Sequence, residues 1–228
     1  MSKTSSFTLA ALALLACTTA GAGRPLVTET ADVPEQGSCE LETALARVSL
    51  TGQPTLHAWD TAFSCGYGLQ SQAGLGYTRE RVAGERSESL RLAGKTTLAA
   101  PQPGRTGLGL AYAAGGARAA GQGFKLDEFG ATLAATHEFA GGWLGHANLG
   151  VVHARSTRQN TTLWSLGMET TADLSLAADV FGDDRNGPSL SAGVGWRLAG
   201  GFSASLAVAQ PFERPRARTL TGAVKLVF

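Results

Sequence analysis

In the closing stretch TLTGAVKLVF, side chains alternate with a period of two: Leu220, Gly222, Val224, Leu226 and Phe228 share one face, and Thr219, Thr221, Ala223, Lys225 and Val227 share the other. That is a complete strand, ending on an aromatic residue. Left as a bare sheet edge, such a strand would pair with any other chain it met. Something must cover it, and the expected partner is the first strand of the same chain, around Glu40 to Leu50.

The same period recurs upstream. Segments at 39–50, 55–65, 69–79, 88–98, 106–114, 127–139, 143–153, 161–169, 172–181, 188–198, 201–210 and 217–228 read as strands bounded by Gly, Pro, Asn and Asp clusters. Twelve is an even number, which brings the last strand back beside the first. Tight connections such as Ala140-Gly141-Gly142 and Ala199-Gly200-Gly201 alternate with polar stretches such as ERVAGERSE, GGARAAGQGFKLDE and GDDRNGP. AAPQPGR breaks that alternation. Short turns at one end and long loops at the other are the layout of a transmembrane barrel.

Composition agrees. The 228 residues include 30 glycines, and only 16% are charged, against about 25% in ordinary soluble domains. A formal net charge of +1, with no basic patch interleaved with aromatics, gives no footprint for nucleic acid. After residue 22 no apolar run approaches the roughly 20 residues of a spanning helix. The fold class expected is all-β: one closed antiparallel transmembrane β-barrel of about twelve strands over residues 39–228, preceded by a signal peptide.

Residues 1–22 carry the marks of that signal: a short start with Lys3, an apolar stretch from Phe7 to Ala16, and an A-x-A site at Ala20 and Ala22. The alternative is a lipoprotein signal with Cys17 as the lipidated residue. Residues 23–38 are polar and aperiodic and read as a periplasmic leader. Cys39 and Cys65 remain, in a chain exported to an oxidising compartment. A hairpin apex near Gly52 places them opposite each other, so they are expected to form a disulfide; two buried thiols are the alternative.

Alternation also assigns faces. Leu75 and Tyr77, Phe129 and Leu133, and Leu190, Val194 and Trp196 lie on apolar faces, with Gln72, Thr132 and Ser191 opposite. A soluble barrel could bury the apolar face, but low charge and aromatics at strand ends favour lipid outside. Phe139, Trp143, Trp196, Phe202 and Phe228 mark one interface, and Trp59, Tyr77, Phe129 and Trp164 the other. The lumen is then expected to hold Glu40, Glu42, Asp60, Arg91, Lys95, Asp173, Asp179, Arg197 and Lys225, either as a solute-selecting field or as an ion-pair network that fills the barrel. Asp173 and Arg197 are expected to oppose each other near the periplasmic end.

Catalytic patterns are not found. Gly94-Lys95-Thr96 lacks the upstream glycine of a phosphate loop, where Ser89 stands. His57, His137, His146 and His153 have no metal-ligand spacing, and no serine falls beside His137 as a lipid-modifying enzyme would need. No cofactor or metal is called for.

The stretches RPLVTETADVPEQGSCELE, VFGDDRNGPSLSAGVGWRL and GAVKLVF resemble the MetA-pathway of phenol degradation family of Gram-negative outer-membrane barrels, often labelled transporters. The resemblance implies a barrel and passage of aromatic or other small solutes. Leu220, Val224, Leu226 and Phe228 are similar to the C-terminal insertion signal of outer-membrane proteins, with Ala223 where a glycine is usual. The expectation is a monomeric, narrow passive channel in contact with outer-membrane lipid and the insertion machinery; a non-conducting structural or surface-interaction barrel is the alternative.

Overall fold

The structure, a computed structural model, describes residues 25–119, 121–214 and 216–228. The signal-peptide reading of 1–22, with Cys17, lies outside the described residues. Twelve strands follow in order: β1 (Cys39–Ser49), β2 (Leu56–Gly68), β3 (Ser71–Val82), β4 (Glu85–Ala99), β5 (Thr106–Ala119), β6 (Lys125–Phe139), β7 (Trp143–Ala154), β8 (Gln159–Thr170), β9 (Leu174–Asp183), β10 (Ser189–Arg197), β11 (Phe202–Pro211) and β12 (Arg218–Val227). Each pairs with the next, and β12 pairs with β1, so the sheet closes.

Closure runs as the terminal alternation requires. Glu40 faces Val227, Glu42 faces Lys225 and Arg47 faces Leu220 across an antiparallel ladder. Cys39 and Phe228 exchange both backbone hydrogen bonds, at 2.7 and 2.9 Å. Every backbone group left unpaired in hydrocarbon would cost several kcal/mol, and the ladder removes that cost from both end strands.

The wall is apolar outside and polar inside. Leu45 and Leu92 are each 66% exposed, whereas Asp179 and Ser191 are 2% exposed and Glu42 and Lys95 7%. That inversion of a soluble protein defines a surface meant for lipid. Trp143, Trp196, Phe202 and Phe139 stand exposed toward the end where β1 begins and β12 ends, and Trp59 and Phe129 toward the far end. Trp59 meets Tyr77 edge-on at 5.9 Å, and its Nε1 donates to Thr43 Oγ1 at 2.8 Å.

Cys39 and Cys65 are joined, with Cα atoms 4.1 Å apart, where β1 and β2 oppose them directly.

Four expectations need correction. The stretch ERVAGERSE is not a loop: β3 and β4 run through it to a two-residue turn, Ala83-Gly84, with φ of +50° and +87°. GGARAAGQGFKLDE is likewise mostly strand, in β5 and β6. Once these strands rise out of the apolar belt both faces are polar, and the period of two disappears from the sequence. Leu69 and Gln70, read as the start of a strand, form a turn with φ of +53° and +52°. Of residues 25–38, read as a periplasmic leader, residues 25–31 lie within the barrel, as described next, and residues 32–38, exposed or half-buried, lead from there to β1.

Candidate functional site: an occupied lumen

The lumen wall is built from small residues. Buried alanines (Ala44, Ala58, Ala134, Ala177 and Ala223) line it, together with glycines on the same face. That leaves room for a chain. A Cβ at Gly109 would sit 2.7 Å from the Ala31 carbonyl oxygen, and one at Gly193 would sit 2.5 Å from Pro25 Cβ. Glycine is required at these positions because the inner segment passes over them, with its backbone at Ala31 and its ring at Pro25.

Within this inner segment Thr28 and Ala31 are fully buried, and Leu26, Glu29 and Thr30 nearly so. Polar bonds fix it to strands around the barrel. Asp179 Oδ2, on β9, accepts from Val27 N at 2.7 Å, Thr28 N at 3.0 Å and Thr28 Oγ1 at 3.1 Å. Lys95 Nζ, on β4, lies 3.4 Å from both Glu29 Oε2 and Thr30 Oγ1. Thr97 Oγ1 donates to the Ala31 carbonyl at 2.8 Å, and Ala31 N donates to Thr136 Oγ1 at 2.9 Å. The Asn148 amide, turned to suit its neighbours, satisfies both backbone groups of Glu29 at 3.1 and 3.2 Å. Farther along, Gly37 N donates to the Gly66 carbonyl at 2.9 Å, and the chain enters β1 at Cys39.

Behind Thr136 lies a relay of buried groups that the sequence reading passed over. Thr136 Oγ1 is 3.0 Å from His146 Nδ1, and His146 Nε2 is 3.2 Å from Glu169 Oε1. All three project inward from β6, β7 and β8. Lumen parity was the signal that could have found them, together with Glu80 and Glu128; Glu29, in the aperiodic inner segment, gave no such signal.

The inner segment does not fill the barrel. A cavity of about 130 Å³ remains, lined among others by Glu29, Glu40, Glu42, Arg91, Lys95 and Glu128. A second, of about 70 Å³, is bordered by Val27, Asn148, Leu163, Phe181 and Asn186. Each could hold a few waters or a small solute.

The lumen charges named from the sequence divide as follows. Glu40 and Lys225 pair at 3.0 Å; Glu42, Arg91 and Lys95 line the larger cavity; Asp60 accepts from Thr78 Oγ1 at 2.6 Å; Asp179 holds the inner segment. Asp173 and Arg197 do pair, at 3.5 Å, but their side chains are 85% and 67% exposed. Asp173 lies in the turn between β8 and β9 and Arg197 is the last residue of β10, so the pair sits in water at the rim, outside the lumen. At the other face, Leu220, Val224 and Phe228 are exposed outward and Leu226 is half-buried. His137 Nδ1 lies 3.0 Å from Thr106 Oγ1, and its ring packs on Phe139 at 4.6 Å. Among the described residues no group of His, Cys, Asp or Glu could hold a metal ion.

A lipid-facing apolar wall, twelve closed strands and a polar, partly occupied lumen define a β-barrel of the bacterial outer-membrane type. The chain belongs to the family described as uncharacterised conserved protein UCP029691, whose model matches residues 10–228. That description differs from the phenol-degradation family the sequence resembles; the resemblance stands at the level of the outer-membrane barrel. No curated protein matches the chain. Among solved structures, the KdgM porin in complex with disordered oligogalacturonate is similar, with a TM-score of 0.62, 6% identity and coverage of 83% of this chain and 99% of that one. So is the COG4313 outer membrane channel from Pseudomonas putida F1, with a TM-score of 0.62, 10% identity and coverage of 86% and 97%. The CymD monoaromatic hydrocarbon channel follows, with a TM-score of 0.51, 13% identity and coverage of 85% and 88%. At these identities the likeness is one of fold.

Proposed function

We propose that the protein is a narrow passive channel for small solutes in the bacterial outer membrane, held in a low-conducting state by residues 25–38. The observation that carries this reading is the chemistry of the inner segment: it is fixed by hydrogen bonds and one ion pair to a polar wall, contacts that water can replace, beside cavities it leaves open. An interior built only for rigidity would interlock large apolar side chains instead. Inward carboxylates (Glu29, Glu40, Glu42, Asp60, Glu128, Glu169 and Asp179) outnumber the inward cations Arg91, Lys95 and Lys225. Their field opposes anions, so the solutes favoured are small and uncharged. Aromatic solutes fit this class, as the resemblance to the phenol-degradation family suggests, and Leu163 and Phe181 offer them apolar contact.

Recording the full mature chain and a chain lacking residues 25–37 in planar bilayers tests the proposal. The full chain should show small, infrequent openings, and the shortened one a conductance several-fold larger. Two silent proteins, both folded, would establish the non-conducting barrel, the reading favoured by the inner segment's depth in the lumen.

The remaining parts of this reading are that residues 1–22 are removed as a signal peptide, that the barrel works as a monomer, and that Leu220, Val224, Leu226 and Phe228 are read by the insertion machinery. Deleting Phe228 should lower outer-membrane abundance severely; normal abundance of that variant would refute the insertion role.

A further inference from the structure

On the outward face of the barrel, at the end away from where β1 begins and β12 ends, four neighbouring strands carry a tier of basic side chains. Arg47 on β1 is directly opposite His57 on β2, His57 is opposite Arg81 on β3, and Arg81 is opposite Arg86 on β4. All four are exposed. With strands about 4.8 Å apart, the tier crosses roughly 14 Å. Arg81 and Arg86 are like charges placed directly opposite on the sheet, a costly arrangement unless an anion spans it.

The acid in reach is already committed. Glu88, one pleat below Arg86 on the same face, is paired with Arg118 on β5 through both Nε, at 2.8 Å, and Nη2. It stands directly opposite Arg79 as well.

Height on the wall identifies the anion. Trp59 and Tyr77, on β2 and β3, form the aromatic belt at this end, and His57 and Arg79 lie one pleat above them. Aromatic belts sit at headgroup level. Leu45 is exposed directly opposite Trp59, and below the belt Phe63 and Leu75, on β2 and β3, are exposed on the same face as His57 and Arg81. The tier therefore stands where lipid phosphates lie, with apolar wall beneath it for acyl chains. Guanidinium groups match phosphate oxygens in bidentate fashion.

We infer that the tier Arg47, His57, Arg81 and Arg86 binds the phosphate-bearing headgroup of an outer-leaflet lipid, fixing the barrel's depth and surrounding it with a specific lipid on this side. The inference does not depend on whether the lumen conducts.

Native mass spectrometry of the detergent-solubilised full chain tests it, with diphosphorylated lipid A as probe and its dephosphorylated form as comparison. The wild type should prefer the phosphorylated lipid at least tenfold. The variant Arg47→Gln, Arg81→Gln, Arg86→Gln should lose that preference, while Arg105→Gln with Arg197→Gln, at the opposite end, should keep it. Equal binding of both lipids by the wild type, or an undiminished preference in the triple variant, would overturn the inference. So would displacement of the lipid by equimolar inorganic phosphate, which would assign the site to a free anion. Should the triple variant fail to assemble, the wild-type preference and the single variant Arg81→Gln, expected to lose several-fold, decide the question.

Discussion

The two sides of the barrel are built to different heights. β4, β5 and β6 have 15, 14 and 15 residues, whereas β9 to β12 have 10, 9, 10 and 10. At about 3.3 Å per residue and a tilt near 40°, ten residues rise roughly 25 Å, the height of the apolar belt alone, and fifteen rise roughly 38 Å. The short side is therefore all membrane wall. The tall side projects about 12 Å beyond the belt, and its added length carries the charges. The inner segment follows the same division. It is pinned to the short side by Asp179 and passes closely over Gly193, then crosses to Lys95, Thr97 and Thr136 on the tall side, beside the larger cavity. The larger cavity thus lies along the tall wall, and the smaller one is bordered by the short side.

The strongest way to break that asymmetry is Asp179→Ala. One carboxylate oxygen accepts three bonds from Val27 and Thr28, and hydrogen bonds to a charged group contribute about 1.5–3 kcal/mol each. Losing them should release the start of the inner segment while the barrel stays closed. Amide hydrogen exchange at Val27 and Thr28 should accelerate by at least a hundredfold, with exchange in β1 and β12 unchanged. If those two amides stay protected, the segment is held by shape and the clamp at Asp179 is incidental.

How much of this was legible beforehand follows the physics of each face. Strand number, closure by β12 and β1 and the opposition of Cys39 and Cys65 all rest on the period of two and on hairpin arithmetic, which are local and visible in sequence. The heights of β3 to β6 were not legible, because above the apolar belt both faces of the wall are polar, as at Arg79, Arg81, Glu85, Arg86 and Lys125, and the stretch imitates a loop. Nor was the inner segment. Residues 25–38 have no period, since they satisfy their backbone with side chains from β4, β6, β7 and β9 and with only a few backbone bonds. What marked their path was an excess of glycine and alanine on the lumen face, a pattern that is read as flexibility until a second chain is seen against it. Asp173 and Arg197 were paired by hairpin arithmetic, and parity assigned them to the lumen. Parity identifies a face but does not say where the wall stops.

A smaller and sharper test uses two glycines on one strand. Gly109 and Gly115 both point into the lumen from β5, three pleats apart. A Cβ at Gly109 would meet the Ala31 carbonyl oxygen at 2.7 Å and Ala31 Cα at 3.0 Å, while at Gly115 the nearest atom is 3.5 Å away and the side chain would enter the larger cavity. Neither has a positive φ, so alanine strains neither backbone. Gly109→Ala should push the inner segment off the wall and weaken the Thr97 and Thr136 bonds that hold Ala31, at a cost of about 1–3 kcal/mol from overpacking. That corresponds to roughly five- to 160-fold faster exchange at the Ala31 amide. Gly115→Ala should leave that amide within about twofold of wild type, because a methyl group there only trims open volume. Both variants should migrate as folded barrels in semi-native electrophoresis, so differences arise from the segment and not from the wall. Equal acceleration in the two variants would mean the segment is loose along its whole length, and the distinction between the covered and the open stretches of this wall would fall with it.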